Sequence, residues 1–148
     1  MAKALTKTDV VDFLKEGGKL LGNLALSFYG ETLNQAGEKA FSEAIEIGIE
    51  NTIAALYDAN VDDKEILRVV SEHWGIVLNE VEDRLIGEKQ QATIRSLKQY
   101  LRLQGYSARE IESFMRDNMA TTQIRHNKDL WKLKNTPAKL IKAIQSKK

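Results

Sequence analysis

Apolar residues recur three or four positions apart along most of this chain, and alternation at every second position is nearly absent. That is the period of an α-helix, so the pattern predicts an all-α fold with little or no sheet. Thr6-Lys7-Thr8-Asp9 reads as a helix start, with Val10, Val11, Phe13 and Leu14 as its apolar face. Gly17-Gly18 would cost a continuous helix about 2 kcal/mol against alanines, which predicts a break. A second short helix through Leu20, Leu21, Leu24 and Phe28 is expected to stop near Gly30.

Residues 31–59 carry the best helical pattern. Leu33, Gly37, Phe41, Ile45, Ile49, Ile53 and Leu56 fall on one face. Beside them Ala36, Ala40, Ala44, Gly48 and Thr52 repeat every four residues, a row that lets another helix come close. The expected neighbour is the helix at 78–104, with a second copy of the chain as a further candidate, so a homo-oligomer is anticipated.

Asn60 suits a left-handed terminus, and Asp62-Asp63-Lys64-Glu65 resembles a capping box. The next helix buries Ile66, Leu67, Val69, Val70 and Trp74, and Gly75 ends it. A long helix from Leu78 to Gln104 should bury Val81, Leu85, Ile94, Leu97 and Leu101 before Gly105. Ser107-Ala108-Arg109-Glu110 is a capping box for a helix with Ile111, Phe114 and Met115 inward. The chain continues through 120–134. Thr136-Pro137 then opens a final helix carrying Leu140, Ile141 and Ile144.

The expectation is one bundle-like domain over 1–148 with seven to eight helices, in which residues 135–148 form a loosely attached tail. A 45-residue shift superposes Ile49 on Ile94, Leu56 on Leu101, Glu65 on Glu110 and Ile66 on Ile111. A duplicated helix-turn-helix-like unit would produce those matches, and so would helical periodicity by coincidence.

Charge changes this picture more than composition does. Residues 1–88 hold 8 Lys/Arg against 17 Asp/Glu, whereas 89–148 hold 14 against 4, so a total of +1 conceals an acidic body and a basic end. Such asymmetry points to a polyanion or an acidic partner for the basic part. At 148 residues the chain can bury roughly 70% of its unfolded surface as one domain. It contains no cysteine, which excludes disulfides, thiolate metal sites and cysteine nucleophiles. The beginning lacks a secretory pattern, and the apolar stretch 20–29 is about half a bilayer span. A cytoplasmic protein without integral membrane association is therefore expected.

Ser107–Leu133 holds the sharpest functional pattern. A capped helix and a turn are followed by Thr121-Thr122-Gln123-Ile124-Arg125-His126-Asn127-Lys128. Read as a helix-turn-helix, this presents Thr122, Gln123, Arg125 and Lys128 to base edges, with Ile124 and Trp131 holding the helix in place. Asp117-Asn118-Met119-Ala120 lacks the glycine of a tight turn, and a solvated helical hairpin has the same pattern. Arg95, Lys98 and Arg102 share one helix face, Arg109 and Arg116 another, and Lys132 follows in the basic end. Together they would bind phosphates through counterion release. Lys139, Lys142 and Lys147 opposite Leu140, Ile141 and Ile144 make a short basic amphipathic helix, too short to hold a bilayer well.

The leading expectation is a non-catalytic, regulatory or accessory nucleic-acid-binding protein, with DNA as the expected polyanion. The alternative is a protein-interaction module or inhibitor whose acidic helices, through Glu43, Glu46 and Glu50, dock a basic partner as a mimic of DNA. A helical assembly protein is a third reading.

Chemistry beyond binding finds no footing. Asp58, Asn60 and Asp62 alternate as in a calcium loop, but Asp63 stands where the glycine belongs and Val69 where the bidentate glutamate belongs. His73 and His126 lie in different elements, which argues against zinc; His73 reads as a partly buried packing residue beside Trp74. Gly17-Gly18-Lys19 lacks the spacing of a phosphate loop, and there is no G-x-S-x-G elbow. No catalytic residue, metal site or cofactor is predicted.

Overall fold

A computed structural model of the chain describes residues 35–147. The expected helix starting at Thr6, the Gly17-Gly18 break and the helix through Leu20–Phe28 lie outside the described residues. Within them there are seven helices and no strand: α1 (Gln35–Asp58), α2 (Asp63–Trp74), α3 (Leu78–Leu103), α4 (Ala108–Asp117), α5 (Ala120–His126), α6 (Lys128–Trp131) and α7 (Pro137–Gln145). The chain divides into two compact units, one ending at Leu85 and the other beginning at Ile86.

In the first unit, Ile49, Ile53 and Leu56 of α1 meet Val61, then Ile66, Val69 and Val70 of α2, and Val81 and Leu85 from the start of α3. Apart from Val61, which lies in the turn, these are the positions that the helical period singles out. Fully burying each such side chain contributes about 1.5–3 kcal/mol before conformational entropy is charged against it. The small-residue row has a different use from the one expected. Ala40 and Ala44 are exposed, while Gly48 receives the indole of Trp74. A Cβ on Gly48 would stand 2.6 Å from Trp74 Cη2, so only glycine leaves room for the ring. Trp74 Nε1 donates to Thr52 Oγ1 at 3.2 Å, and that hydroxyl donates to the carbonyl of Gly48 at 2.7 Å. At Gly48 the row is therefore a slot for one aromatic side chain of α2, and Ala40 and Ala44 are not covered by the helix at 78–103. His73, one residue earlier, points to solvent instead of packing.

In the second unit, Ile94, Leu97 and Leu101 of α3 form a core with Ile111 and Met115 of α4, Ala120 and Ile124 of α5, and Leu130 and Trp131 of α6. Leu140 and Ile144 of α7 are fully buried in the same cluster. The segment expected as a loose tail is thus part of the core: Pro137 presets the first helical turn, and the apolar stripe faces inward. Thr136 precedes α7 but makes no side-chain cap; its hydroxyl donates to Leu133 O at 3.4 Å.

Both hairpin turns use the same backbone geometry. Asn60 (φ 56°) and Gly105 (φ 91°) occupy the left-handed region, as the sequence suggests for helix ends there. Around the first turn the amides of Ala59, Asn60, Val61 and Ile66 donate to the carbonyls of Ala55, Tyr57, Leu56 and Asp62. Shifted by 45 residues, the amides of Gln104, Gly105, Tyr106 and Ile111 donate to those of Tyr100, Arg102, Leu101 and Ser107. The caps that follow differ. Asp62 accepts from the Lys64 amide at 3.2 Å, while Glu65 pairs with Arg68. Ser107 and Glu110 form the full reciprocal box.

The α4–α5 turn is made without glycine. Met119 itself takes φ 48°, which costs a side-chain-bearing residue about 1–2 kcal/mol. Met119→Gly relieves that cost and loses part of the gain to unfolded-chain entropy. The expected result is a net stabilisation of about 0.5–1 kcal/mol, measured by denaturant unfolding; a destabilised variant would show that Met119 is not strained.

Candidate nucleic-acid interface

The charge boundary in the sequence falls within a few residues of the boundary between the two units. From Ile86 onward there are 14 Lys/Arg and 5 Asp/Glu. The cations of this unit therefore outnumber its carboxylate side chains by nine.

The pairs actually formed are few. Arg95 bonds to Glu88, whose side chain is largely covered. Lys132 bonds to Asp129 at 2.9 Å, with both groups mostly in solvent, where such a pair is worth little. The Lys132 bond and charge hold the Asp129 carboxyl below its ordinary pKa. Arg116 lies 3.6 Å from its neighbour Asp117. Glu110 spends its carboxylate on the backbone amide of Ser107 at 2.7 Å, and that bond lowers its pKa. Lys98, Arg102, Arg109, Arg125 and Lys128 are exposed and have no ion pair among the described residues. The run from Lys89 to Arg109 contains no acidic residue.

Three elements converge on a groove of about 350 Å³. Helix α3 contributes Lys98; α4 contributes Glu112, Met115 and Arg116; Met119 and then Thr121 and Thr122 complete the lining. Two basic and two hydroxyl-bearing residues thus line one concavity together with a single acidic residue and two methionines. The structure brings together Lys98, Arg116 and Thr122 of the expected residues. Thr121 and Met119 join them unanticipated, because only the three-dimensional turn places them beside α3.

The base-reading part of the expectation needs correction. A single reading helix over 121–128 does not form: α5 stops at His126, Asn127 leaves helical geometry (φ −132°, ψ 101°), and its side chain caps α6 by accepting from the Asp129 amide. Gln123 is not available to a base edge. Its Nε2 donates to Asn118 O at 2.9 Å and to Ile144 O at 3.0 Å, tying the start of α5 to the end of α7. Ile124 and Trp131 do hold α5 in place, since both are buried and the Trp131 indole N–H donates to Ile124 O at 2.6 Å. Thr122 and Arg125 remain exposed, three residues apart on α5.

On the acidic side, Glu46 is already engaged. Arg84 donates to it at 2.7 Å and also to Glu80 at 2.7 Å, and the Arg84 bond lowers the Glu46 pKa. Glu43 lies 3.9 Å from Lys39, and Glu50 is exposed. Among the described residues no cluster of three or more His, Asp or Glu is placed to hold a metal ion, and no helix is long and apolar enough to cross a membrane. No protein family, curated protein or solved structure matches this chain.

Proposed function

We propose that the unit beginning at Ile86 binds nucleic acid through its phosphates, in a non-catalytic regulatory or accessory role. The observation that carries this reading is the excess of cations over carboxylates on a compact unit with its own core, with Lys98, Arg102, Arg109, Arg125 and Lys128 exposed and without an ion pair among the described residues. Lys98, Arg102, Arg109, Arg116 and Lys128 contact phosphates, Thr121 and Thr122 donate from the groove, and Arg125 adds a contact from α5. Recognition rests on charge and shape more than on base edges, because the helix that would enter a major groove is cut at Asn127. The recurrence of one turn geometry 45 residues apart supports reading the basic hairpin as a copy of the acidic one, altered in surface charge.

A second reading has one observation behind it. Ile47 is exposed on α1 among Glu43, Glu46 and Glu50, as an apolar contact within an acidic docking face for a basic protein would be. The two are separated by a mobility-shift titration of the intact chain against random-sequence duplex and single-stranded DNA at low salt. Binding is expected; no complex at any protein concentration up to the micromolar range removes the nucleic-acid reading.

A further inference from the structure

The turn between α3 and α4 leaves an aromatic residue where the corresponding turn buries an aliphatic one. Val61, one residue past the left-handed Asn60, is 5% exposed and belongs to the core of its unit. Tyr106 holds the same place after Gly105, with the same amide bond to a carbonyl five residues back, yet is 43% exposed. An apolar residue at this position ordinarily packs against the helix it follows, as Val61 does. Three residues before Tyr106, Leu103 is 76% exposed.

The surroundings are cationic. Arg102 precedes this tip and Arg109 follows it, both exposed and without an ion pair among the described residues. Glu110, the nearest carboxylate along the chain, is occupied by the Ser107 amide. The Tyr106 hydroxyl makes no hydrogen bond among the described residues.

We propose that Tyr106, with Leu103, is a stacking platform for an unpaired base of single-stranded nucleic acid, with Arg102 and Arg109 holding the phosphates on either side. This rests on the nucleic-acid reading above and deepens it. Every base has a π-face, so an aromatic ring between arginines binds a single strand with little regard to sequence. A duplex keeps its bases stacked on one another and offers the ring nothing. One tyrosine and one leucine give too little apolar surface to hold a bilayer, which makes a strand with accessible bases the better fit.

The test compares the intact chain with Tyr106→Ala and Tyr106→Phe, using fluorescence anisotropy. The probes are a labelled oligothymidylate of about twelve nucleotides, a duplex of the same length, and vesicles rich in phosphatidylserine. Tyr106→Ala should weaken oligothymidylate binding about tenfold and duplex binding by no more than about twofold, while Tyr106→Phe keeps most of the affinity. Equal effects on strand and duplex, or none on either, overturn the stacking site and leave the phosphate-binding reading standing. No binding of either oligonucleotide overturns both. Vesicle binding that depends on Tyr106, with oligothymidylate binding that does not, assigns the tip to a membrane surface and overturns it as well. The exposed side chain leaves the core intact, and an unchanged thermal transition confirms that the variants are folded.

Discussion

Replacing Lys98, Arg102 and Arg109 together by glutamate is expected to lower nucleic-acid affinity by about 10²–10³-fold near 0.1 M salt. Each cation removed takes away one phosphate contact and the counterions that contact releases, and each glutamate adds repulsion. If about six phosphates are neutralised in the unaltered protein, the triple variant should also lose about half of the salt dependence. The fold should survive. None of the three has an ion pair among the described residues, and all are exposed. Their helix-end effects also oppose one another: Arg102 is favourable in the last turn of α3, whereas Arg109 is unfavourable in the first turn of α4. Arg95 stays unchanged in this variant, because a glutamate there would face the largely covered Glu88 that it now neutralises. The reciprocal change, Glu43→Lys with Glu50→Lys, should leave DNA affinity undiminished. A loss of binding in that variant and not in the triple would shift the interface to α1.

The largest expected stability effect comes from Ile124→Ala. Ile124 is fully buried in the second core, and its carbonyl accepts the Trp131 indole N–H. Truncating a buried isoleucine costs the transfer energy of the lost groups plus the cavity left behind, about 3 kcal/mol here. A unit of this size has a total stability of only about 3–9 kcal/mol, so the substitution takes a large share of it. The effect can be read locally, since each unit contains one of the two tryptophans. In a Trp74→Phe background, Trp131 fluorescence should report a urea midpoint lowered by roughly 2 M, given a slope near 1–2 kcal/mol per molar. A shift below about 0.5 M would mean that Ile124 is not packed as described. If nucleic acid binds only the folded unit, as proposed, adding it should restore part of the lost midpoint.

The helices themselves were largely legible in the sequence, because burial on one helix face leaves a period of three to four. Ile49, Ile53, Leu56, Leu97 and Leu101 were assigned to the interior on that ground alone and are buried. The Ser107–Glu110 box was equally plain, as its two partners lie three residues apart and need no tertiary contact. What stayed hidden depends on contacts between distant residues. Gly48 is small for the sake of Trp74, 26 positions away, and a row of small residues looks the same whether it admits a helix or one ring. Gln123 has the chemistry of a base reader, but Ile144 O and Asn118 O claim its amide. The groove around Lys98, Arg116 and Thr122 draws on three elements, and no spacing announces it. Tyr106 departs from a local pattern: it follows a left-handed glycine, where an inward-facing apolar residue is frequent, yet it is exposed.

On the proposed function, this basic unit holds a polyanion by its phosphates. The most direct measurement is the affinity of the intact chain for a DNA duplex across a series of salt concentrations. A straight line of log affinity against log salt with a slope of about −5 is expected if about six phosphates are neutralised. An affinity that stays constant as salt rises would contradict it.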